Sequence, residues 1–280
     1  MSQSNPDKFT SAVNNGTLYH AVVVWPEGDN SVADTLAVEI PVALVYNGIS
    51  HAVMMATPSD LENFACGFSL SEGIIDRPED IYEITIHHRS QGIELAIEIS
   101  SQCFSRLKDR RRTLAGSTGC GLCGVEALQQ VALDLTAVNP EQQFLISHSA
   151  IDLATASLQH HQPAQKYTGG MHGAAWCNNQ GHILQLFEDV GRHNALDKLL
   201  GSLWGCETIN TAGFLLMSSR ASYEIVQKAA RANIAVIVTV SAATSLAVEM
   251  ANRANITLVG FSRENRHVVY THAQRLTEQS

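Results

Sequence analysis

The chain has no apolar run long enough to cross a bilayer. Its longest, such as Ile234 to Val238, fall far short of the roughly 20 residues that a spanning helix needs. The first fifteen residues, MSQSNPDKFTSAVNN, also lack an apolar stretch, so no secretory signal is expected. Both absences lead us to expect a cytoplasmic protein that does not engage a membrane. Charge is sparse too: 16% of residues are Asp, Glu, Lys or Arg. The net charge of −9 and the pI of about 5.7 argue against general nucleic-acid binding. Cysteine is scarce, and six in 280 residues is no disulfide framework. Cys66, Cys103, Cys177 and Cys206 stand alone; only Cys120 and Cys123 are neighbours. A chain of this length buries ample surface on folding, so neither a disulfide nor a metal staple is required.

What is present divides into two halves, 1–142 and 143–280. In the first, Leu36 to Tyr46 and Ile49 to Ala56 are β-rich and flank Asn47-Gly48, a strong hairpin signal. Thr57-Pro58-Ser59-Asp60 predicts a helix start with Thr57 as cap and Pro58 at the first position, running to about Ser71. Ile81 to His87 and Ile93 to Ile99 alternate apolar and polar, as paired strands do. A short basic helix is expected over 103–112. A glycine-rich loop follows over 114–124, then a helix from about Val125 until Asn139-Pro140 breaks it. This half reads as an α+β unit.

The second half alternates more regularly. Helices are expected near 150–160 and at 192–203, 221–231 and 244–253. Strands are expected at 171–177, 182–188, 213–217, 234–240 and 256–261. One helix between successive strands predicts right-handed crossovers and a mixed, mostly parallel sheet in an α/β, three-layer unit. In such sheets ligands gather beyond the carboxyl ends of the strands. Here those ends read Ser218-Ser219-Arg220, Ser241-Ala242 and Phe261-Ser262-Arg263. Small polar residues and arginines there suit an anionic ligand.

Cys120-Gly121-Leu122-Cys123 admits several readings. A structural zinc site needs four ligands, and no second CxxC or HxxxH accompanies this pair, so no metal is expected. Gly119, Gly121 and Gly124 spell G-x-G-x-x-G, but the dinucleotide fingerprint must follow a buried strand, and KDRRRTLAGST is not one. What is left is thiol chemistry or, as the plain alternative, a chance pair that stabilises a turn. A helix starting near Val125 would favour the thiolate through its N-terminal dipole. A dithiol oxidoreductase is one form of that chemistry, and a sulfur-carrying arm is another.

Four stretches make the chain recognisable: GSTGCGLCG (116–124), TGGMHGAAW (168–176), FEDVGRHNALDKL (187–199) and LVGFSRENRHVVYTH (258–272). In that order they resemble the formate dehydrogenase accessory sulfurtransferases, the FdhD family, over about residues 20 to 275. The resemblance implies an enzyme that takes persulfide sulfur from a cysteine desulfurase and passes it to the bis-molybdopterin guanine dinucleotide cofactor, needed for formate dehydrogenase activity. That cofactor would be bound as substrate. By position Cys120 would carry the persulfide, with Cys123 as its partner. The cofactor-binding segment would fall on Phe261, Ser262, Arg263, Glu264, Asn265 and Arg266. A homodimer is expected, with the desulfurase and the dehydrogenase as partners. The alternative is a chaperone that holds the cofactor without moving sulfur.

The element order of the second half resembles the cytidine-deaminase core. The zinc deaminases need H-x-E and P-C-x-x-C. None of the twelve histidines has Glu two residues later, and no cysteine motif follows proline. Gly191-Arg192-His193 and Ser218-Ser219-Arg220 stand at the corresponding helix starts. His172 and His193 are candidate cofactor contacts; a tight-turn role for His172 and a capping or packing role for His193 are the alternatives. Arg220, Arg263 and Arg266 are either phosphate contacts or surface charges. Met171 and Trp176 read as core.

Overall fold

The computed structural model describes residues 12–13, 16–24, 31–116, 137–139, 144–204, 212–263 and 265–278. The expected boundary at 142/143, the loop residues 117–124 and the helix from Val125 lie outside them.

Two hydrophobic cores organise the described residues. The first sits between a four-stranded sheet and two helices. Strands β4 (Ile40–Tyr46) and β5 (Ile49–Ala56) form a hairpin, β6 (Ile81–Arg89) and β7 (Gly92–Ile99) form another, and β4 runs parallel to β7. The Asn47-Gly48 turn has positive φ at both residues, 45° and 78°, as a two-residue turn matched to strand twist requires. Helices α1 (Leu61–Ser71) and α2 (Ser101–Gly116) cover one face. Phe64, Phe68, Leu95, Ile97, Cys103 and Leu107 fill the space between.

Three local expectations change. The stretch 36–46 is two strands, since β3 (Ser31–Ala37) leaves to pair with β2 (Thr17–Val23) in a separate sheet with β1 (Ala12–Val13). Helix α2 extends to Gly116, into the segment expected to open the glycine loop. Helix α1 starts three residues late, with Asp60 at its N-cap at φ 52° and no side-chain cap. Thr57 does not cap it because the other half of the protein uses its polar groups.

The second core surrounds a six-stranded sheet of order β10-β9-β11-β12-β13-β14. Its strands are β9 (His172–Asn178), β10 (Ile183–Asp189), β11 (Gly213–Met217), β12 (Val236–Thr239), β13 (Thr257–Arg263) and β14 (Arg266–Thr271). β11, β12 and β13 are parallel neighbours. β9, β10 and β14 join antiparallel, so the sheet is mixed and "mostly parallel" holds only for its centre. Every residue of β11 and β12 is buried, as strands covered on both faces must be. Helices α3 (His148–Ser157), α4 (Pro163–Thr168), α5 (Arg192–Leu203), α6 (Tyr223–Arg231) and α7 (Ser245–Arg253) complete the unit. A short parallel pair, β8 (Ile146–Ser147) and β15 (Leu276–Thr277), closes it. No helix among the described residues is long and apolar enough to cross a membrane.

The two cores meet where α1 crosses α5. Gly67 and Gly201 let the backbones touch there: a Cβ on Gly67 would lie 1.7 Å from the Asp197 carbonyl oxygen. Buried charge flanks the crossing. Lys228 reaches Asp197 at 3.0 Å and Glu72 at 2.8 Å. Burial alone would lower the Lys228 pKa, but these two carboxylates more than offset it and leave it raised. Lys198 pairs with Asp189 at 2.8 Å, both side chains fully buried. Lys198 also donates to the Thr57 carbonyl. The Asp189 carboxylate accepts from the Thr57, Gly191 and Asn194 nitrogens. Lys198→Met therefore strands a carboxylate at zero exposure. We expect it to cost about 3–5 kcal/mol, the usual result of removing one partner of a buried pair, read by urea denaturation.

Candidate functional site

The sequence FEDVGRHNALDK folds into a rigid turn between β10 and α5, and most of its polar groups are structural. Glu188 accepts from the Ala164 and Gln165 N–H groups and so caps α4. Burial raises its pKa, and those two donors hold it back. Asp189, Asn194 and Lys198 tie the turn to the first core. Arg192 and His193 are half-buried and turn toward Glu224 on α6.

His193 opens α5. Its Nε2 lies 2.8 Å from a Glu224 carboxylate oxygen, and Arg192 approaches the same carboxylate at 3.7 Å. Burial lowers the His193 pKa, Glu224 opposes this, and the net shift is downward. The folded protein thus binds fewer protons here than the unfolded chain, so this group withdraws stability as pH falls through the histidine range. Glu224→Gln should make His193 titrate at still lower pH, seen as a shift in its imidazole NMR titration.

A cavity of about 680 Å³ opens at the carboxyl ends of the parallel strands. Ser218 follows β11, Val240 follows β12 and Arg263 ends β13; all three line it. His172, at the start of β9, lines it as well, as do Asn265 and the backbone of Gly169 and Gly170. Burial lowers the His172 pKa, and Arg192 adds to that, against a smaller pull from Asp189. A neutral imidazole is favoured, which can donate or accept a hydrogen bond. Met171 and Trp176 are buried, as expected, though Met171 also faces the cavity.

Phe261 to Arg266 proves to be a hairpin and not a simple strand end. β14 was missed in the sequence, and it pairs Arg266 with Arg263. Residues directly opposite point to the same face, so both guanidinium groups stand on one side of the ladder. The register slips between Gly260 and Arg263. Phe261 carries the slip at φ 53°, a strained value for a bulky residue, with its N–H bonded to the Ser241 carbonyl. Ser262 turns inward, fully buried, and its hydroxyl meets Thr155 Oγ1 at 2.7 Å. The bulge thus buries Ser262 and exposes Arg263, which re-aims a side chain as bulges at sites do.

Of the expected site residues, His172, Arg263 and Asn265 converge on this cavity, with Ser262 behind them. Arg266 stands exposed beside Arg263. Arg220 is exposed and, like His193, does not line the cavity. Cys120, Cys123 and Glu264 lie outside the described residues. Reading the sequence missed Asp152 and the glutamines 159, 162 and 165, which supply much of the wall. The glutamines' every-third-residue spacing was a signal for one polar face. It also missed the contact of Asp152 with His267, 3.3 Å away, and of His267 with His148, 2.6 Å away.

Among the described residues one group has metal-ligand proximity, Asp76, Asp80 and Cys103. Arg106 already fills the cation's role there, bonding Asp76 at 2.5 Å and the Cys103 sulfur at 3.2 Å.

Residues 37–277 match the model of the FdhD/NarQ family. A sulfur carrier protein FdhD from Cupriavidus necator is 52% identical over 261 residues, covering 93% of this chain and 90% of that protein. Another, from Acinetobacter baylyi, is 53% identical over 240 residues, 86% of this chain and 87% of its own. A crystal structure described as a formate dehydrogenase accessory protein, from Desulfotalea psychrophila, superposes with a TM-score of 0.68 at 25% identity, covering 93% of this chain and 98% of that one. On the matching motifs and on this likeness over nearly its full length, the chain belongs to the FdhD/NarQ family.

Proposed function

We propose that this protein is a cytoplasmic sulfurtransferase. It takes sulfur from a cysteine desulfurase as a persulfide on Cys120 and delivers it to the bis-molybdopterin guanine dinucleotide cofactor, which then serves a formate dehydrogenase. The observation that carries this is the cavity at the strand ends. It joins His172, Ser218, Arg263 and Asn265 in a chain more than half identical to proteins named sulfur carriers.

The cavity's chemistry suits a nucleotide-bearing cofactor. Two arginines on one face of the hairpin offer guanidinium forks for phosphate oxygens. Gly169 and Gly170 give a ligand close approach to backbone. With α4 set aside as an insertion, the order α3, β9, β10, α5, β11, α6, β12, α7, β13 would suit a cytidine-deaminase-like scaffold, with Gly191-Arg192-His193 and Ser218-Ser219-Arg220 where zinc ligands would stand. On this reading the scaffold holds an anion in place of a metal.

The sulfur step is a displacement. A Cys120 thiolate attacks the outer sulfur of the donor's persulfide, and the donor cysteine leaves as thiolate. Mass spectrometry after incubation with a cysteine desulfurase and cysteine tests it. The expected result is an adduct of one sulfur atom on Cys120. Guanine-nucleotide binding with no such adduct would turn the assignment toward a cofactor chaperone, and disulfide exchange on protein substrates toward a dithiol oxidoreductase.

A further inference from the structure

A second cavity, of about 820 Å³, opens between β2, the start of α1, α4 and β10. It shares Met171 with the first, and α4 lines both, with Gln165 in the first and Ala164 and Tyr167 in the second. Its chemistry is the reverse. Among the described residues no lysine or arginine lines it, and its wall carries the carboxylates of Asp60 and Glu188. The remaining titratable group is His161, whose Nδ1 turns to the Ser157 carbonyl. Such a wall repels phosphate and favours a cation.

The floor of this cavity serves the fold. Thr57 Oγ1 accepts the Val190 N–H and lies 3.7 Å from the Met171 sulfur. The Ser59 hydroxyl accepts from the buried Lys198, and Glu188 holds the first turn of α4. The rim is uncommitted. Asp60 is exposed at its left-handed φ of 52°, and its carboxylate neither caps α1 nor meets a hydrogen-bond or ion-pair partner among the described residues. Tyr19 is 42% exposed and Tyr167 68%. Neither phenol has a hydrogen-bond partner among the described residues. Exposed tyrosines beside an unpaired carboxylate have the composition of a recognition surface rather than of a solvated one.

The rim continues onto a track. Tyr19 stands opposite Thr35 in the β2–β3 ladder, so both face the cavity. Two residues further on, Ala21 opposes Ala33 on the same face, and Val23 follows. Ala21 and Ala33 are exposed, and Val23 is 65% exposed. A small free cation would leave this apolar track bare. An extended chain uses both features: its small apolar residues cover the track while one cationic side chain turns into the cavity. Guanidinium suits the rim better than ammonium, because its plane lies on a tyrosine ring and its fork meets a carboxylate. The net charge of −9 draws a basic partner toward the chain. We propose that this cavity docks an arginine from an extended segment of a partner protein, held by Asp60, Tyr19 and Tyr167. Such docking requires neither the sulfur chemistry of Cys120 nor a ligand in the first cavity.

Binding of short acetylated, amidated alanine–valine peptides to the full chain, followed by NMR titration, tests the proposal. The probes carry one central arginine, lysine or citrulline. The arginine peptide should bind about tenfold more tightly than the citrulline peptide, which keeps the shape and loses the charge, with the lysine peptide between them. Asp60→Asn should weaken the arginine peptide by about threefold to fivefold and leave the citrulline peptide unchanged. Asparagine tolerates the left-handed backbone as aspartate does, so this variant keeps the fold. Tyr167→Ala should cost about fivefold. Lys166→Ala, beside Tyr167 but lining a separate groove, should change binding by less than about twofold. Equal binding of the arginine and citrulline peptides, or unchanged binding in both rim variants, would overturn the proposal. Free arginine amide binding as tightly as the peptide would replace the docked segment with a small molecule. A lower mass by light scattering in the rim variants would give the cavity to a second copy of this chain and overturn the partner.

Discussion

Gly67→Val is expected to unseat α1 from α5 and to destabilise the whole protein. Intrinsic propensity argues the other way, since glycine inside a helix costs about 1 kcal/mol relative to alanine. Sterics decide the sign. A Cβ at Gly67 would sit 1.7 Å from the Asp197 carbonyl oxygen, and one at Gly201 would sit 1.9 Å from that of Asn63. These are backbone atoms and cannot rotate aside, so the helices must separate. Separation would pull Ser71, at the end of α1, away from Asp197 and Lys228 on the other side of the crossing. Overpacking typically costs about 1–3 kcal/mol, occasionally more. We expect the upper end or beyond, against a total stability of roughly 5–15 kcal/mol. Urea denaturation should show a large fall in the midpoint. Gly170→Ala is the control: its new Cβ meets nothing nearer than 3.6 Å and should change stability by less than about 0.5 kcal/mol. A wild-type midpoint in Gly67→Val would contradict the close crossing.

Local signals in the sequence were reliable where local forces decide the structure. Asn47-Gly48 made its hairpin because positive φ at two successive residues is cheap for that pair. The buried runs at 213–217 and 236–239 became central strands because nothing polar interrupts them. Thr57 shows the limit. Its sequence context promises a cap, but its N–H and carbonyl bond Asp189 and Lys198, 132 and 141 residues away. β14 was hidden because its residues are only half-buried and its turn lacks the Asn-Gly signal. α4, with six residues, is too short for a periodic pattern. The site was legible in part. His172, Arg263 and Asn265 stood out by strand-end position or motif. The contacts joining Asp152, His267 and His148 span 115 and 119 residues, and no spacing rule reaches that far.

Cys120→Ala should abolish formate dehydrogenase maturation and leave no sulfur adduct, and Cys123→Ala should separate two routes. The persulfide carries its outer sulfur at the oxidation level of elemental sulfur, and release as sulfide needs two electrons. If the Cys123 thiolate attacks Cys120 Sγ, HS⁻ leaves, the two cysteines become a disulfide, and the pair supplies both electrons. Cys123→Ala would then accumulate persulfide on Cys120 and fail to mature the dehydrogenase. If Cys123 is dispensable, the same variant keeps both the adduct and the activity. If it relays sulfur, attack falls on the outer sulfur instead, and the adduct appears on Cys123 in the wild type. Thiolate nucleophilicity and leaving-group acidity govern all three steps, so each rate should rise with pH toward the cysteine pKa. Full dehydrogenase activity in Cys120→Ala would sink the persulfide mechanism.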